Sequence, residues 1–280
     1  MLAIAEPDSI QRLTRDLKVA SITLSQQEAR YLTDAYYQIQ DYRIQAANQR
    51  RALGESGEPH SVLVWLFEQM ETLENQIKRA LDAWSDTCPE GRWAKSIVGI
   101  GPVLAAGFLA HIDITRAPTV GHIWSFAGLN PTAVWEKKTK RPWNARLKVL
   151  CWKLSQSFLK FHNHERDFYG HLMMQRKAQE QERNAAGLYA EQAANALTAK
   201  KIGKDTEAYK WYSQGMLPPA HIQARAGRWA VKLFLAHYHE VAYTAHYGVC
   251  PPRPYVLDVL GHADEIQVPN WISLANRGGR

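Results

Sequence analysis

Leu63, Leu66, Met70, Leu73, Ile77, Ala80 and Trp84 recur at spacings of three and four. Such a repeat is the seam of a coiled coil, and it commits this stretch to a long helix that must bury one face against another helix. A partner precedes it in the chain. Ser25 followed by Glu28 forms a capping box, and Leu32, Ala35, Ile39, Tyr42 and Ala46 continue behind it at helical spacing. Arg50 and Arg51 suit the negative end of that helix dipole, and Gly54-Glu-Ser-Gly57 stops it. The linker is short, so the two helices are expected to fold back as an antiparallel pair. The seam suits closure within the chain and pairing with a second copy equally, and a homodimer through residues 63–84 is expected alongside the plain hairpin.

The next constraint is Ile97-Val-Gly-Ile-Gly-Pro-Val-Leu-Ala-Ala106. Gly99 and Gly101 permit backbone angles that other residues avoid, and Pro102 suits the first position of a helix. The pattern predicts a helix-hairpin-helix. Its backbone amides around Gly99, Ile100, Gly101 and Val103 sit at a helix N-terminus, where partial positive charge holds phosphate. The alternative is a tight turn in a buried helical pair. A dinucleotide-binding glycine loop is excluded, because Leu104 stands where the third glycine is needed.

Asp113-Ile-Thr-Arg-Ala-Pro118 reads as a turn, 119–127 as a short helix that Gly128 ends, and Lys137 to Lys148 as a basic stretch. Its cations are Lys137, Lys138, Lys140, Arg141, Arg146 and Lys148, with Trp135 and Trp143 interleaved. Cations with aromatic rings among them suit a nucleic-acid surface; the alternative is a solvated loop. Leu147, Leu150, Cys151, Leu154, Phe158 and Phe161 mark one face of a helix running to about 161. Residues 172–200 read as one polar helix, an exposed arm, and Asp205 as the start of another short one. Pro218-Pro219 leads the longest late helix, about 220–246, with Arg225, Arg228 and Lys232 as a basic stripe. Pro251 to Tyr255 reads as polyproline II, and 276–280 as disordered. The fold class is therefore all-α. It divides into an N-terminal segment (1–24), a coiled-coil helical pair (25–86), a helix-hairpin-helix domain (92–165), a C-terminal helical region (166–250) and an extended tail (251–280).

Composition adds a net charge of +7, which leans toward a polyanionic partner, and 46% hydrophobic residues, enough for a core. Cys88, Cys151 and Cys250 fit neither a zinc site nor a disulfide framework. No signal peptide or membrane span is evident, and a cytoplasmic, nucleoid-associated protein is expected. His237 and His239 stand two apart on a helix and cannot chelate together. No metal site and no cofactor are expected.

Four features agree in order and spacing with a known family: the Ile97–Ala106 hairpin, the Ala127-Gly-Leu-Asn-Pro131 turn, the basic loop, and Asn144-Ala-Arg-Leu-Lys148 opening a helix. Together they resemble the C-terminal domain of insertion-sequence transposases that carry a DEDD RuvC-like nuclease domain and are guided by a bridge RNA. The resemblance spans about residues 92–160, and the helical pair upstream is similar to that family's dimerising coiled coil. Two departures stand out. The family's RuvC-like domain cannot be built from the 24 or so residues before the first long helix. Trp135-Glu136 stands where the family places its nucleophilic serine, with Thr132 and Thr139 as the nearest hydroxyls. The resemblance therefore implies a transposase-derived protein that binds DNA, with RNA as the other candidate ligand, with weak sequence specificity and no catalytic site of its own. Its alternatives are a minimal recombinase using Thr139 or a partner-supplied nuclease, and an oligomeric structural adaptor.

Overall fold

Ser25 starts the first long helix through the predicted capping box: its hydroxyl accepts from the Glu28 N–H at 3.3 Å, and the Glu28 carboxylate accepts from the Ser25 N–H at 2.7 Å. In this computed structural model, residues 12–55, 57, 61–136, 138–199, 201–252 and 266–271 are described, and among them every regular element is helical. The helices are α1 (Arg15–Ala20), α2 (Gln26–Gly54), α3 (Ser61–Ser85), α4 (Pro89–Ser96), α5 (Pro102–His111), α6 (Val120–Phe126), α7 (Ala145–Phe161), α8 (Tyr169–Ala185), α9 (Ala190–Ala199), α10 (Glu207–Ser213) and α11 (Pro219–Tyr247). None is long and apolar enough among the described residues to cross a membrane. Replacing Ser25 by Ala removes the side-chain cap. It is expected to lower stability by about 1 kcal/mol, and Ser25→Gly by only a few tenths, in denaturant titrations.

The chain divides into two compact units: residues up to 95 with 101–113, and residues 96–100 with 114 onward. In the first, α3 packs on α2 as an antiparallel pair, and α5 lies against both. Tyr36, Ile77, Leu81, Val103 and Ala106 form the shared core, with Leu73 and Trp84 against it. A two-stranded seam would bury the strict heptad positions evenly. Here the third helix widens the buried stripe at one end, so Leu81, off the seam, is fully buried, while Leu66, on it, stays 37% exposed.

Helix α5 is apolar all round, with eight of its ten residues buried. Its small residues allow close approach, but its last carbonyls need partners. Two side chains of α2 supply them: Gln26 donates to the Leu109 carbonyl at 2.9 Å and Arg30 to that of Ala110 at 2.8 Å. Between α2 and α3, buried Glu74 accepts from Tyr36, Gln40 and Arg43. Those donors hold its pKa below the ordinary carboxylate value against the upward pull of burial.

In the second unit α11 is the central element, packed by α6, α7 and α8. Phe158, Tyr169, Phe234 and Tyr238 fill the core, with Phe158 and Tyr169 stacked at 5.0 Å. The expected single helix over 172–200 is two. Helix α8 stops at Ala185, where the Leu188 N–H turns back to the Arg183 carbonyl, and α9 restarts at Ala190. Nor is this an exposed arm along its whole length. Asn184 is buried and holds both backbone groups of Leu217, at 3.0 and 2.8 Å. Ala193, Leu217 and Ile222 then close a small core of their own. Of the extended tail expected over 251–280, residues 253–265 and 272–280 lie outside the described residues.

Candidate nucleic-acid interface

Helix α4 leads into the hairpin turn. Gly99 takes φ +89°, and the Ile100 N–H closes a tight turn onto the Ile97 carbonyl at 3.0 Å. A Cβ at Gly99 would lie 3.0 Å from Ser157 Oγ and 3.2 Å from Phe161, so both the angle and the space require glycine. Its carbonyl accepts the Ser157 hydroxyl. Gly101 is extended and exposed, has no side chain with which to cap α5, and is followed by Pro102 as the first helical residue. The flanking side chains of Ile100 and Val103 are buried. The turn carries the chain from one unit to the other: Gly99 and Ile100 belong to the second, Gly101 and Val103 to the first.

The basic loop begins where α6 ends. The Gly128 N–H returns to the Ser125 carbonyl at 3.0 Å and the Leu129 N–H to that of Trp124 at 2.8 Å, a Schellman stop with Gly128 at φ +67°. Trp143 covers this stop, and a Cβ at Gly128 would meet its ring at 2.8 Å. The Asn144 N–H bonds the Phe126 carbonyl at 2.8 Å, and the Asn144 side chain accepts from the Leu147 N–H to cap α7. Between these fixed ends the loop folds on itself. Trp135 Nε1 donates to the Thr139 carbonyl at 3.0 Å, and the Thr139 hydroxyl donates to the Glu136 carbonyl at 2.8 Å. Lys138 sits in the left-handed region at φ +70°, which costs a lysine about 1 kcal/mol.

Cations and rings interleave across this loop. The Arg141 guanidinium lies 4.6 Å from the Trp135 ring, the Lys148 ammonium 4.2 Å from the Trp143 ring, and the two indoles meet edge to face at 6.3 Å. Lys138, Lys140, Arg141, Arg146 and Lys148 are all exposed; Lys137 lies outside the described residues. In the sequence the only acidic residue between Asp113 and Glu165 is Glu136. Gly99 does not join this cluster. It abuts α7 at Ser157, nine positions beyond Lys148, which is about 14 Å along the helix axis.

One part of the surface escaped the sequence reading. Val149 is 49% and Trp152 62% exposed, on the side of α7 opposite its buried Leu147, Leu150, Leu154 and Phe158. The signal was present, since a helix whose apolar face is already filled has no place inside for a valine and a tryptophan off that face. The late basic stripe is not an open one. Arg225 pairs with buried Glu180, and Lys232 lies 5.0 Å from the Trp124 ring, with burial pulling its pKa down.

The remaining polar candidates are structural. His237 bonds Tyr169 and the Ile266 carbonyl, and His239 bonds the Ala117 carbonyl at 2.8 Å. Cys151 is buried among the α7 core residues, and burial pushes its thiol up to about 12. Among the described residues no three His, Cys, Asp or Glu side chains gather as a ligand set.

Residues 92–170 match the model of the transposase IS116/IS110/IS902 family, rather more than a quarter of the chain. That stretch contains the hairpin turn, the tryptophan-bearing loop and all of α7, and it is similar to a segment of those transposases. No curated protein and no solved structure matched the chain.

Proposed function

We propose that this is a transposase-derived protein that binds nucleic acid, DNA in the first place, through backbone phosphates. Its role lies in recombination or transposition, and it has no catalytic site of its own. The observation that carries this reading is the group of five exposed cations from Lys138 to Lys148, interleaved with the rings of Trp135 and Trp143. It lies inside the stretch similar to transposases. Phosphate contacts position a protein without specifying sequence, so specificity is weak unless a partner or an RNA supplies it. The open amides at the exposed Gly101 turn offer a second phosphate contact. A homodimer through residues 63–84 is part of the proposal, supported by the exposure of Leu66 on that seam. Such a protein acts in the cytoplasm at the nucleoid. The enzymatic alternative through Thr139 gains nothing from the geometry, since that hydroxyl closes a turn onto the Glu136 carbonyl.

A salt titration of duplex binding tests this. The wild-type chain is expected to bind duplex DNA with an affinity that falls steeply as salt rises. Lys138→Glu combined with Lys140→Glu should weaken binding at least tenfold and reduce the slope of log K against log salt by about two, the loss of two phosphate contacts. Unchanged affinity removes the loop from the interface. A wild-type chain that binds no duplex at low salt overturns the reading and favours the structural adaptor.

A further inference from the structure

We infer that Trp135, Trp143 and Trp152, with Arg141 and Lys148 between them, form a platform that takes an unpaired stretch of nucleic acid in preference to duplex. The inference rests on the nucleic-acid reading above and names the form of ligand this surface selects.

The geometry is a ladder. Arg141 covers part of Trp135, Trp135 meets Trp143 at 6.3 Å, and Lys148 covers part of Trp143. One turn further along α7 stands Trp152, on the same side of the helix as Lys148 because residues four apart share a face. Trp135 is 47% and Trp152 62% exposed, large apolar areas for rings with no core to fill. The outward face of α7 continues with Val149, Gln156 and Lys160, all but Val149 polar or charged, and α7 contains no acidic residue. A groove for a protein helix would be apolar with a mixed-charge rim. The charged residues on this face, Arg141, Lys148 and Lys160, are all cations, with rings standing among them, and that charge complements a phosphodiester chain.

The two components of the surface address different parts of such a chain. Cations meet phosphates whether the strand is paired or not. Indole rings gain only from bases whose faces are free, and in a duplex those faces are already stacked on their neighbours. Stacking on an aromatic side chain is tolerant of base identity, since every base has a π-face. An oxygen-rich duplex surface would leave Trp135 and Trp152 facing water. An unpaired strand covers them.

The test uses the full chain and four fluorescent probes of equal length at one ionic strength: oligo-dT, oligo-rU, a DNA duplex and an RNA duplex. The expected result is that the unpaired strands bind at least tenfold tighter than the matching duplexes. Trp152→Ala and Trp135→Ala should each lose about tenfold for unpaired strands while duplex affinity changes less than twofold, and Trp152→Phe should restore most of the loss. Comparison of oligo-dT with oligo-rU tells which kind of strand the platform takes. Equal affinity for strands and duplexes, or variants that weaken both alike, overturns the platform while leaving the phosphate-binding reading intact. Absence of binding to all four probes overturns that reading instead. A Trp152→Ala variant that changes the mass in light scattering but not strand affinity makes this face a contact between copies, and the inference fails.

Discussion

Acidification from pH 7 to pH 4 is expected to remove about 3 kcal/mol of folding stability through His237 alone. This imidazole is buried in the second unit, its Nε2 2.8 Å from the Ile266 carbonyl and its Nδ1 2.7 Å from the Tyr169 hydroxyl. A carbonyl can only accept, so Nε2 carries the hydrogen and Nδ1 accepts from Tyr169. That arrangement satisfies a neutral ring. A proton added to Nδ1 would face a fully buried hydroxyl that is already donating there. Burial accordingly pulls the pKa of His237 from its ordinary 6.5 to about 4, with the bond to Ile266 opposing the shift. The unfolded chain takes up this proton near pH 6.5 and the folded chain only near 4. Stability from this group is therefore complete above pH 6.5 and drains away as the pH falls toward 4, at about 1.4 kcal/mol per unit. His239 is pulled down by burial too and acts in the same direction. Urea titrations at several pH values test this in wild type and His237→Gln. The variant should be weaker at pH 7 but lose most of the dependence between pH 6.5 and 4. Equal slopes for both proteins would assign the acid sensitivity elsewhere.

What the sequence made legible was local. The Ser25–Glu28 cap, the heptad-bearing α3, the stop at Gly128 and the Pro218-Pro219 start of α11 each rest on interactions within a few residues of each other. Their physics is complete in a short window, and the all-α class follows from them. What stayed hidden depends on contacts across tens of residues. Nothing near Gln26 or Arg30 announces that they cap a helix some eighty positions away. The heptad pattern of α3 predicts one partner helix, and the arrival of α5 changes which of its residues are buried. Glu180 and Asn184 looked like solvated side chains because polarity in a helix is ordinarily read as exposure; each is instead matched by a partner that the pattern does not show.

The candidate site divides in the same way. The basic loop and its tryptophans were readable as composition, and so was the glycine requirement of the hairpin turn. The pairing of particular cations with particular rings was not, because it depends on how the loop folds between Gly128 and Asn144. Gly99 also illustrates a limit of motif reading. The residue takes the positive φ that glycine permits, and that angle and its fit against Ser157 and Phe161 serve packing directly. The open backbone at this turn is at Gly101.

The largest single loss of stability is expected from Glu180→Ala. This carboxylate is 2% exposed and accepts from Arg225 Nε at 2.7 Å, from Arg176 Nη2 at 2.6 Å and from the Tyr189 hydroxyl at 2.5 Å. Burial alone would raise its pKa, but the hydrogen bonds from Tyr189 and Arg225 and the nearby guanidinium charges hold it below the ordinary value. Arg225 passes the connection on to Gln192 at 3.0 Å and lies 4.4 Å from the Tyr189 ring. One anion thus ties α8, α9 and α11 together. Removing it leaves two guanidinium groups facing each other with no counter-charge, a change that typically costs about 3–5 kcal/mol. Both arginines keep about a quarter of their side-chain surface exposed and can recover some hydration, which places the expected loss near the lower end, about 3 kcal/mol. The loss should be local before it is global. Amides of α9 and α10 should exchange faster with deuterium, while those of α7 and the core of α11 keep their protection. A second variant separates lost attraction from stranded charge. Glu180→Met with Arg225→Met removes both members of the pair that joins α8 to α11 and fills the space with apolar chain, so it should be less destabilising than Glu180→Ala alone. If the double variant is instead the weaker protein, the network stabilises by its own attraction, and the cost of an unmatched guanidinium is not what Glu180 relieves.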